Sequence, residues 1–151
     1  MKKIYLFSIF TFLFLISFTS IYTEETEYLK EITTFNKVRF SDIALPLSLE
    51  ENLVKPGTSQ QDAIKILLKT FPKLNKVNQK SYLNYSDISL ICMQIYELKG
   101  GFFYSIFLNR HYSFRELQYS NIIPDTLDPM KKISGKETYN LLIQTSKLQE
   151  L

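Results

Sequence analysis

The N-terminal region constrains this chain most, because it contains a long run without any charged side chain. Lys2 and Lys3 are followed by 19 uncharged residues, Ile4–Tyr22, and the next charges are Glu24 and Glu25. A basic start, an apolar middle and a small polar end are the three parts of a secretory signal peptide. The lysines stay on the cytoplasmic side, so the sequence predicts that the rest of the chain is exported, either to the periplasm or into the medium.

The predicted signal segment, residues 1–23, has two alternative fates. No Ala precedes Ala44, so the best cleavage sites, before Ser20 and before Glu24, lack the small-residue A-x-A pattern. The uncharged run also approaches the ~20 residues that span a bilayer. The alternative to cleavage is therefore a single N-terminal membrane anchor with the domain outside. A bacterial lipoprotein is excluded because Cys92, the only Cys, lies far from this segment.

Without residues 1–23 the chain is almost neutral. It has 18 Lys+Arg and 15 Asp+Glu, so removing Lys2 and Lys3 leaves 16 bases against 15 acids, a net charge of +1. This balance, together with export, argues against a nucleic-acid partner. Residues 24–151 have the length of one domain.

The hydropathy pattern of residues 24–151 predicts an α+β fold with about three helices. The first helix is predicted over 24–36. The second begins after Ser59 and ends before Pro72, and the third begins at Ser134. Ser59 and Ser134 each have an acidic residue three positions later, which is typical of a helix N-cap.

The same pattern predicts an antiparallel sheet of three to four strands. Alternating apolar residues favour an edge strand over 42–50, and three apolar runs favour a meander, with turns at residues 99–101 and 109–111 and loops over 73–86 and 120–133. The strands of the meander are Ile88–Leu98, Phe102–Leu108 and Tyr112–Tyr119.

One short segment resembles part of a known group of proteins. Pro56–Ile64 is similar to the turn that opens a helix in small periplasmic α+β proteins of the β-lactamase-inhibitor and outer-membrane-assembly type. In those proteins a helix pair precedes an antiparallel sheet. The resemblance is confined to this segment, and the chain lacks the lipid-bearing Cys of the assembly lipoproteins, so it assigns no family.

Residues that could carry chemistry are few. Cys92 is the only Cys and His111 the only His, and neither stands in a signature of a cysteine enzyme or a zinc site. Cys92 lies in an apolar run and is expected to be buried. The sequence predicts no cofactor and no metal, and it leaves enzymatic activity open while favouring none. The alternative is a small extracytoplasmic hydrolase that uses carboxylates, drawn from Glu97, Glu116, Asp125 and Asp128.

Two surfaces are predicted to contact a partner. A run of lysines with no acid between its ends could bind an anionic partner such as lipid, glycan or acidic protein, although a solvated face is the commoner role of such a run. Its members are Lys65, Lys69, Lys73, Lys76 and Lys80. Aromatic residues on one face of the predicted sheet could bind another protein or an envelope component, and these are Phe102, Tyr104, Tyr112 and Phe114.

Small size, predicted export and the lack of a catalytic signature favour a non-enzymatic binding or interaction module of the cell envelope or exterior. A membrane-tethered accessory protein is a further alternative if the signal segment is retained. Membrane contact is predicted only through that segment.

Overall fold

The computed structural model describes residues 29–149, and the regular secondary structure of this part of the chain is helical. A helical turn at 29–32 is followed by six α-helices and one 3-10 helix. The α-helices are α1 (Phe40–Glu50), α2 (Gln60–Thr70), α3 (Tyr85–Ile95), α4 (Phe102–Phe107), α5 (Arg110–Tyr119) and α6 (Gly135–Gln149), and the 3-10 helix is Pro72–Lys76. The predicted signal segment and residues 24–28 of the predicted first helix lie outside the described residues.

The predicted α+β class is wrong, because residues 29–149 contain no β-strand. Their only β pairing is two isolated antiparallel bridges, Arg39 with Tyr82 and Asn84 with Lys132. The three segments of the predicted meander are helices α3, α4 and α5. The sheet implied by the resemblance of Pro56–Ile64 is absent from this part of the chain as well.

Helix α3 explains why the first run, Ile88–Leu98, was misleading. Every residue from Tyr85 to Met93 is buried, so this helix has no polar face. A helix surrounded by protein shows no 3.6-residue alternation of apolar and polar residues, and a short apolar run then resembles a buried strand. Its buried polar groups are hydrogen-bonded: Asn84 caps the helix by accepting from the Asp87 N–H at 2.9 Å, and the Asp87 carboxylate accepts from Arg110 at 2.8 Å.

The two predicted hairpin turns are helix N-termini. Gly101 is the N-cap of α4, and Asn109 caps α5 by accepting from the Tyr112 N–H at 3.1 Å. Asn is among the strongest N-cap residues, and its place before Arg110 was the local signal for a helix. The sharp chain reversals at these positions are therefore connections between helices.

The predicted edge strand over 42–50 is helix α1. Its fully buried apolar residues, Phe40, Ile43, Ala44 and Leu47, fall at the i, i+3, i+4, i+7 spacing of a helix face. The alternation of Ile43, Leu45, Leu47 and Leu49 was coincidental, since Leu45 and Leu49 are only half-buried.

The predictions based on capping are confirmed. Ser59 caps α2 by accepting from the Asp62 N–H at 3.2 Å. The Ser134 N–H donates to Glu137 Oε2 at 2.9 Å, and the Glu137 N–H donates back to Ser134 Oγ at 3.3 Å, which completes a capping box. Residues 120–133 form a loop without helix, as predicted, and Cys92 is free and buried.

Helix α3 lies at the centre of the described fold. It packs against α5, α6 and the 3-10 helix, while α1 packs against α2. The turn after residues 29–32 contacts the start of α6, where the Gly135 N–H donates to the Phe35 carbonyl at 2.8 Å. The segment predicted as a helix over 24–36 therefore leaves helical geometry at Thr33, earlier than its hydropathy indicated.

Candidate binding surface on helix α4

Helix α4 exposes a group of large apolar side chains, here called the aromatic patch. It consists of Phe102 (74% exposed), Phe103 (59%), Ile106 (54%) and Phe107 (50%). These residues follow an i, i+1, i+4, i+5 pattern, which places them on one side of the helix. Soluble proteins rarely leave such contiguous apolar surface uncovered unless it contacts something.

The rings of the aromatic patch are held in a fixed arrangement. Phe103 and Phe107 both stack on the half-buried ring of Tyr112 in α5, with centroid distances of 5.9 and 5.2 Å. Phe102 meets Phe103 edge-on at 5.7 Å, and His111 meets Tyr112 edge-on at 5.2 Å. Offset and edge-on ring pairs stabilise each other beyond simple burial, so the patch is organised before anything binds it.

Tyr104 anchors α4 to the core. Its side chain is buried, and its hydroxyl accepts a hydrogen bond from Gln94 Nε2 of α3 at 2.7 Å. Burial raises the pKa of the Tyr104 phenol, so this side chain stays neutral. A Cβ on Gly100 would overlap the Tyr104 ring, so only glycine allows this close approach.

The predicted aromatic partner face is only partly at the surface. Phe102 is exposed and Tyr112 is half-buried, whereas Tyr104 and Phe114 are buried in the core. These four residues were grouped by the alternation of a sheet that the described chain does not form. Helical spacing over 102–107 instead groups Phe102 with Phe103, Ile106 and Phe107, which the predicted partner face did not include.

Basic side chains lie at the C-terminal end of α4. Lys76 Nζ is 3.5 Å from the Leu108 carbonyl oxygen, which ends the helix. Arg110 follows two residues later and pairs with Asp87 at 2.8 Å. At the opposite end, the Glu116 carboxylate lies beside Gly101. The aromatic patch therefore has cations at one end and a carboxylate at the other.

The five predicted lysines follow the path from α2 to the loop before α3. Lys65, Lys69, Lys76 and Lys80 are exposed and Lys73 is half-buried. Lys65 pairs with Asp62 at 3.3 Å, while the other four form no salt bridge within residues 29–149. Through its contact with Leu108, Lys76 lies next to Phe107 of the aromatic patch. The role of the lysine run as an anionic-partner surface stays a prediction.

A cavity of about 440 Å³ opens near the ends of α3 and α5. Its lining residues are Met93, Tyr96, Glu97, Leu98, Lys99, Glu116, Ser120 and Leu148. Two of the four carboxylates considered for hydrolysis, Glu97 and Glu116, lie at this cavity. The other two, Asp125 and Asp128, are exposed in the loop before α6 and do not line it.

Cys92 and His111 are not arranged as a nucleophilic pair. Cys92 has no exposed surface, and burial raises the pKa of its thiol to about 12, whereas His111 is exposed on α5. A nucleophilic cysteine needs access and a thiolate, and this environment provides neither. Among residues 29–149, no group of three His, Cys, Asp or Glu side chains could hold a metal ion.

These observations define an all-α fold over residues 29–149, with an aromatic helix at its surface. None of the helices in the described part is both long and apolar enough to cross a bilayer. No protein-family model, curated protein or solved structure matches the chain.

Proposed function

We propose that this chain is an exported, non-enzymatic binding module of the cell envelope or exterior, and that the aromatic patch on α4 is its contact surface. The observation that carries this proposal is the exposure of four large apolar side chains on a single six-residue helix. Support for export comes from Lys2, Lys3 and the uncharged run Ile4–Tyr22.

The energetics of the patch favour a binding role. Complete burial of one Phe or Ile side chain contributes about 1.5–3 kcal/mol, so covering several of them can supply much of a binding free energy. The rings are already fixed by Tyr112, so little conformational entropy is lost on binding. Aromatic side chains are also enriched among residues that dominate binding interfaces.

Photo-crosslinking in cells that produce the full chain tests this proposal. A photo-reactive p-benzoylphenylalanine replaces Phe103 in one variant and Tyr119 in a control. Tyr119 is 70% exposed and lies outside the patch. We expect a discrete crosslinked product with an envelope component only when Phe103 is replaced. Equal crosslinking at both positions, or recovery of the chain with cytoplasmic components alone, would contradict the proposal.

The cavity near Glu97 and Glu116 supports a second candidate, a small hydrolase. Two carboxylates on one cavity can serve as a general acid and a general base or nucleophile, as in glycoside hydrolysis. The test is a panel of chromogenic glycosides and esters with the wild-type chain, Glu97→Gln, Glu116→Gln and, as a control, Asp128→Asn. Turnover that disappears in both glutamine variants and persists in Asp128→Asn would support this function. Absence of turnover by the wild-type chain would reject it.

A further inference from the structure

We infer that the aromatic patch on α4 docks onto an anionic lipid surface, with the neighbouring lysines contacting the lipid phosphates. This inference rests on the proposed function, because it names the partner of the same surface. It gives the folded domain its own membrane contact, independent of the N-terminal segment.

The first step concerns the shape and chemistry of the patch. Phe102 and Phe103 are the most exposed of its four residues, and they lie at the start of α4. Tyr104 is the one residue of this helix whose side chain is buried in the core. Phenylalanine and isoleucine on one side of a surface helix are the residues that enter the boundary between headgroups and acyl chains.

The second step concerns charge. The contact of Lys76 Nζ with the Leu108 carbonyl places this member of the lysine run at the end of α4, next to Phe107 of the aromatic patch. Lys69, Lys73, Lys76 and Lys80 have no salt-bridge partner within the described residues, so their charges are available to an anionic surface. Lysines beside an inserted apolar face are the combination that anionic bilayers attract.

The third step compares the other occupants of this surface. In a symmetric dimer whose α4 helices run antiparallel, the cationic end of one helix would face Glu116 of the other. That carboxylate can pair with one lysine, which leaves most of Lys69, Lys73, Lys76 and Lys80 without an anion. A lipid surface supplies a phosphate to each of these lysines, so it accounts for more of their charge.

Tryptophan fluorescence provides a local test, because the chain contains no Trp. The full chain carrying Phe103→Trp is mixed with vesicles of phosphatidylcholine alone or of phosphatidylcholine with phosphatidylglycerol. We expect a blue shift, and quenching by brominated acyl chains, on the anionic vesicles, and we expect both to weaken as salt is added. The control Tyr119→Trp should respond to neither vesicle, even if the N-terminal segment holds the chain at the bilayer.

The lysines are tested in the Phe103→Trp background. Lys73→Gln and Lys76→Gln should each weaken binding to anionic vesicles about fivefold, as expected for one basic residue near a charged bilayer. Lys55→Gln, a change at an exposed lysine outside the predicted run, is the matched control and should leave the titration unchanged.

Three outcomes would overturn the lipid assignment. They are no shift on any vesicle, an equal shift on neutral and anionic vesicles, or an equal response from Phe103→Trp and Tyr119→Trp. A dimer in sedimentation that Phe103→Ser abolishes would assign the patch to a second copy instead. If the lipid test fails while crosslinking at Phe103 still captures an envelope protein, the proposed function stands and only its partner changes. If both fail, the proposed function fails too.

Discussion

Four helices in the described part are followed within two residues by a residue with positive φ, and none of these residues is glycine. They are Asn52 (φ 55°), Glu97 (φ 48°), Leu108 (φ 41°) and Asn121 (φ 57°). The left-handed region costs a residue with a side chain roughly 1–2 kcal/mol, although asparagine tolerates it best. Glu97 and Leu108 therefore store backbone strain. Glu97 follows α3 and Leu108 follows α4, so the two residues flank the segment that carries the aromatic patch.

Replacing Glu97 should stabilise the fold. Glu97→Gly releases the backbone strain after α3, and we expect the free energy of unfolding to rise by up to about 1 kcal/mol. The change also removes a like charge near Glu51, whose carboxyl pKa is raised by burial and by Glu97. Urea denaturation at neutral pH measures the total, and Glu97→Gln isolates the charge contribution. A Glu97→Gly variant no more stable than Glu97→Gln would show that strain is not stored there.

Gly135 is a position where any side chain should be harmful. A Cβ there would overlap the Ile32 carbonyl oxygen, so the turn that follows residues 29–32 would have to move from α6. We expect Gly135→Ala to reduce the free energy of unfolding by about 2 kcal/mol, in the range of other overpacked sites. Hydrogen exchange should show faster exchange over residues 29–35. Lys136→Ala, at the exposed neighbouring position, should remain within about 0.5 kcal/mol of wild type.

At the scale of elements, sequence reasoning succeeded where a helix has both a cap and a polar face. Helices α2 and α6 were predicted because Ser59 and Ser134 mark their starts and their apolar residues follow one stripe. Helix α3 was missed because its surroundings bury it on all sides, and that burial depends on tertiary packing that no local pattern records. Helices α4 and α5 were missed because Phe and Tyr favour strands intrinsically, and packing overrode that preference.

The capping box of α6 should make stability depend on acidic pH. Burial alone would raise the pKa of Glu137, but hydrogen bonds from Ser134, Tyr85 and Lys131 outweigh it and lower that pKa to about 2, from 4.5. A carboxylate with a lowered folded-state pKa stabilises the fold above its unfolded pKa and loses this contribution as pH falls. The loss should therefore occur between about pH 4.5 and pH 2.

Glu137→Gln tests this dependence while keeping a residue that can complete the capping box. Urea denaturation at a series of pH values should show a weaker fall in stability over that window than in the wild type. Asp125→Asn, at an exposed loop position, serves as the control. Parallel profiles for wild type and Glu137→Gln would contradict the assignment of the low pKa to this carboxyl.

At the scale of the whole molecule, the core and the aromatic patch are formed by different residues, so the patch can be changed without changing the core. The core surrounds α3, whereas the patch lies on the surface and two of its rings, Phe103 and Phe107, stack on the half-buried Tyr112 of α5. The location of the patch could have been deduced from residues 102–107 only after the helical period was known. The lysine run was visible in the sequence, but its contact with α4 through Lys76 depends on how the 3-10 helix packs, which no local signal shows.

Removing aromatic side chains from the patch should therefore change association without unfolding the protein. We expect Phe102→Ser to leave the free energy of unfolding within about 0.5 kcal/mol of wild type, as for other exposed positions. Co-sedimentation with anionic vesicles should show weaker binding than for the wild type, because apolar surface is removed from the patch. Phe114→Ser, a change in the core, should by contrast cost several kcal/mol; the large-to-small range is about 3–5 kcal/mol for Phe. A loss of stability in Phe102→Ser comparable to that of Phe114→Ser would contradict this separation.

The single thiol lies inside the central helix and has no access to other molecules. Cys92 is fully buried and its thiol is held protonated, so the folded chain offers no thiolate to an oxidant or to a second chain. A disulfide-linked dimer can consequently form only while Cys92 is exposed, either before folding is complete or after unfolding. The fraction of covalent dimer in a preparation thus reports how much time its chains have spent unfolded in an oxidising medium.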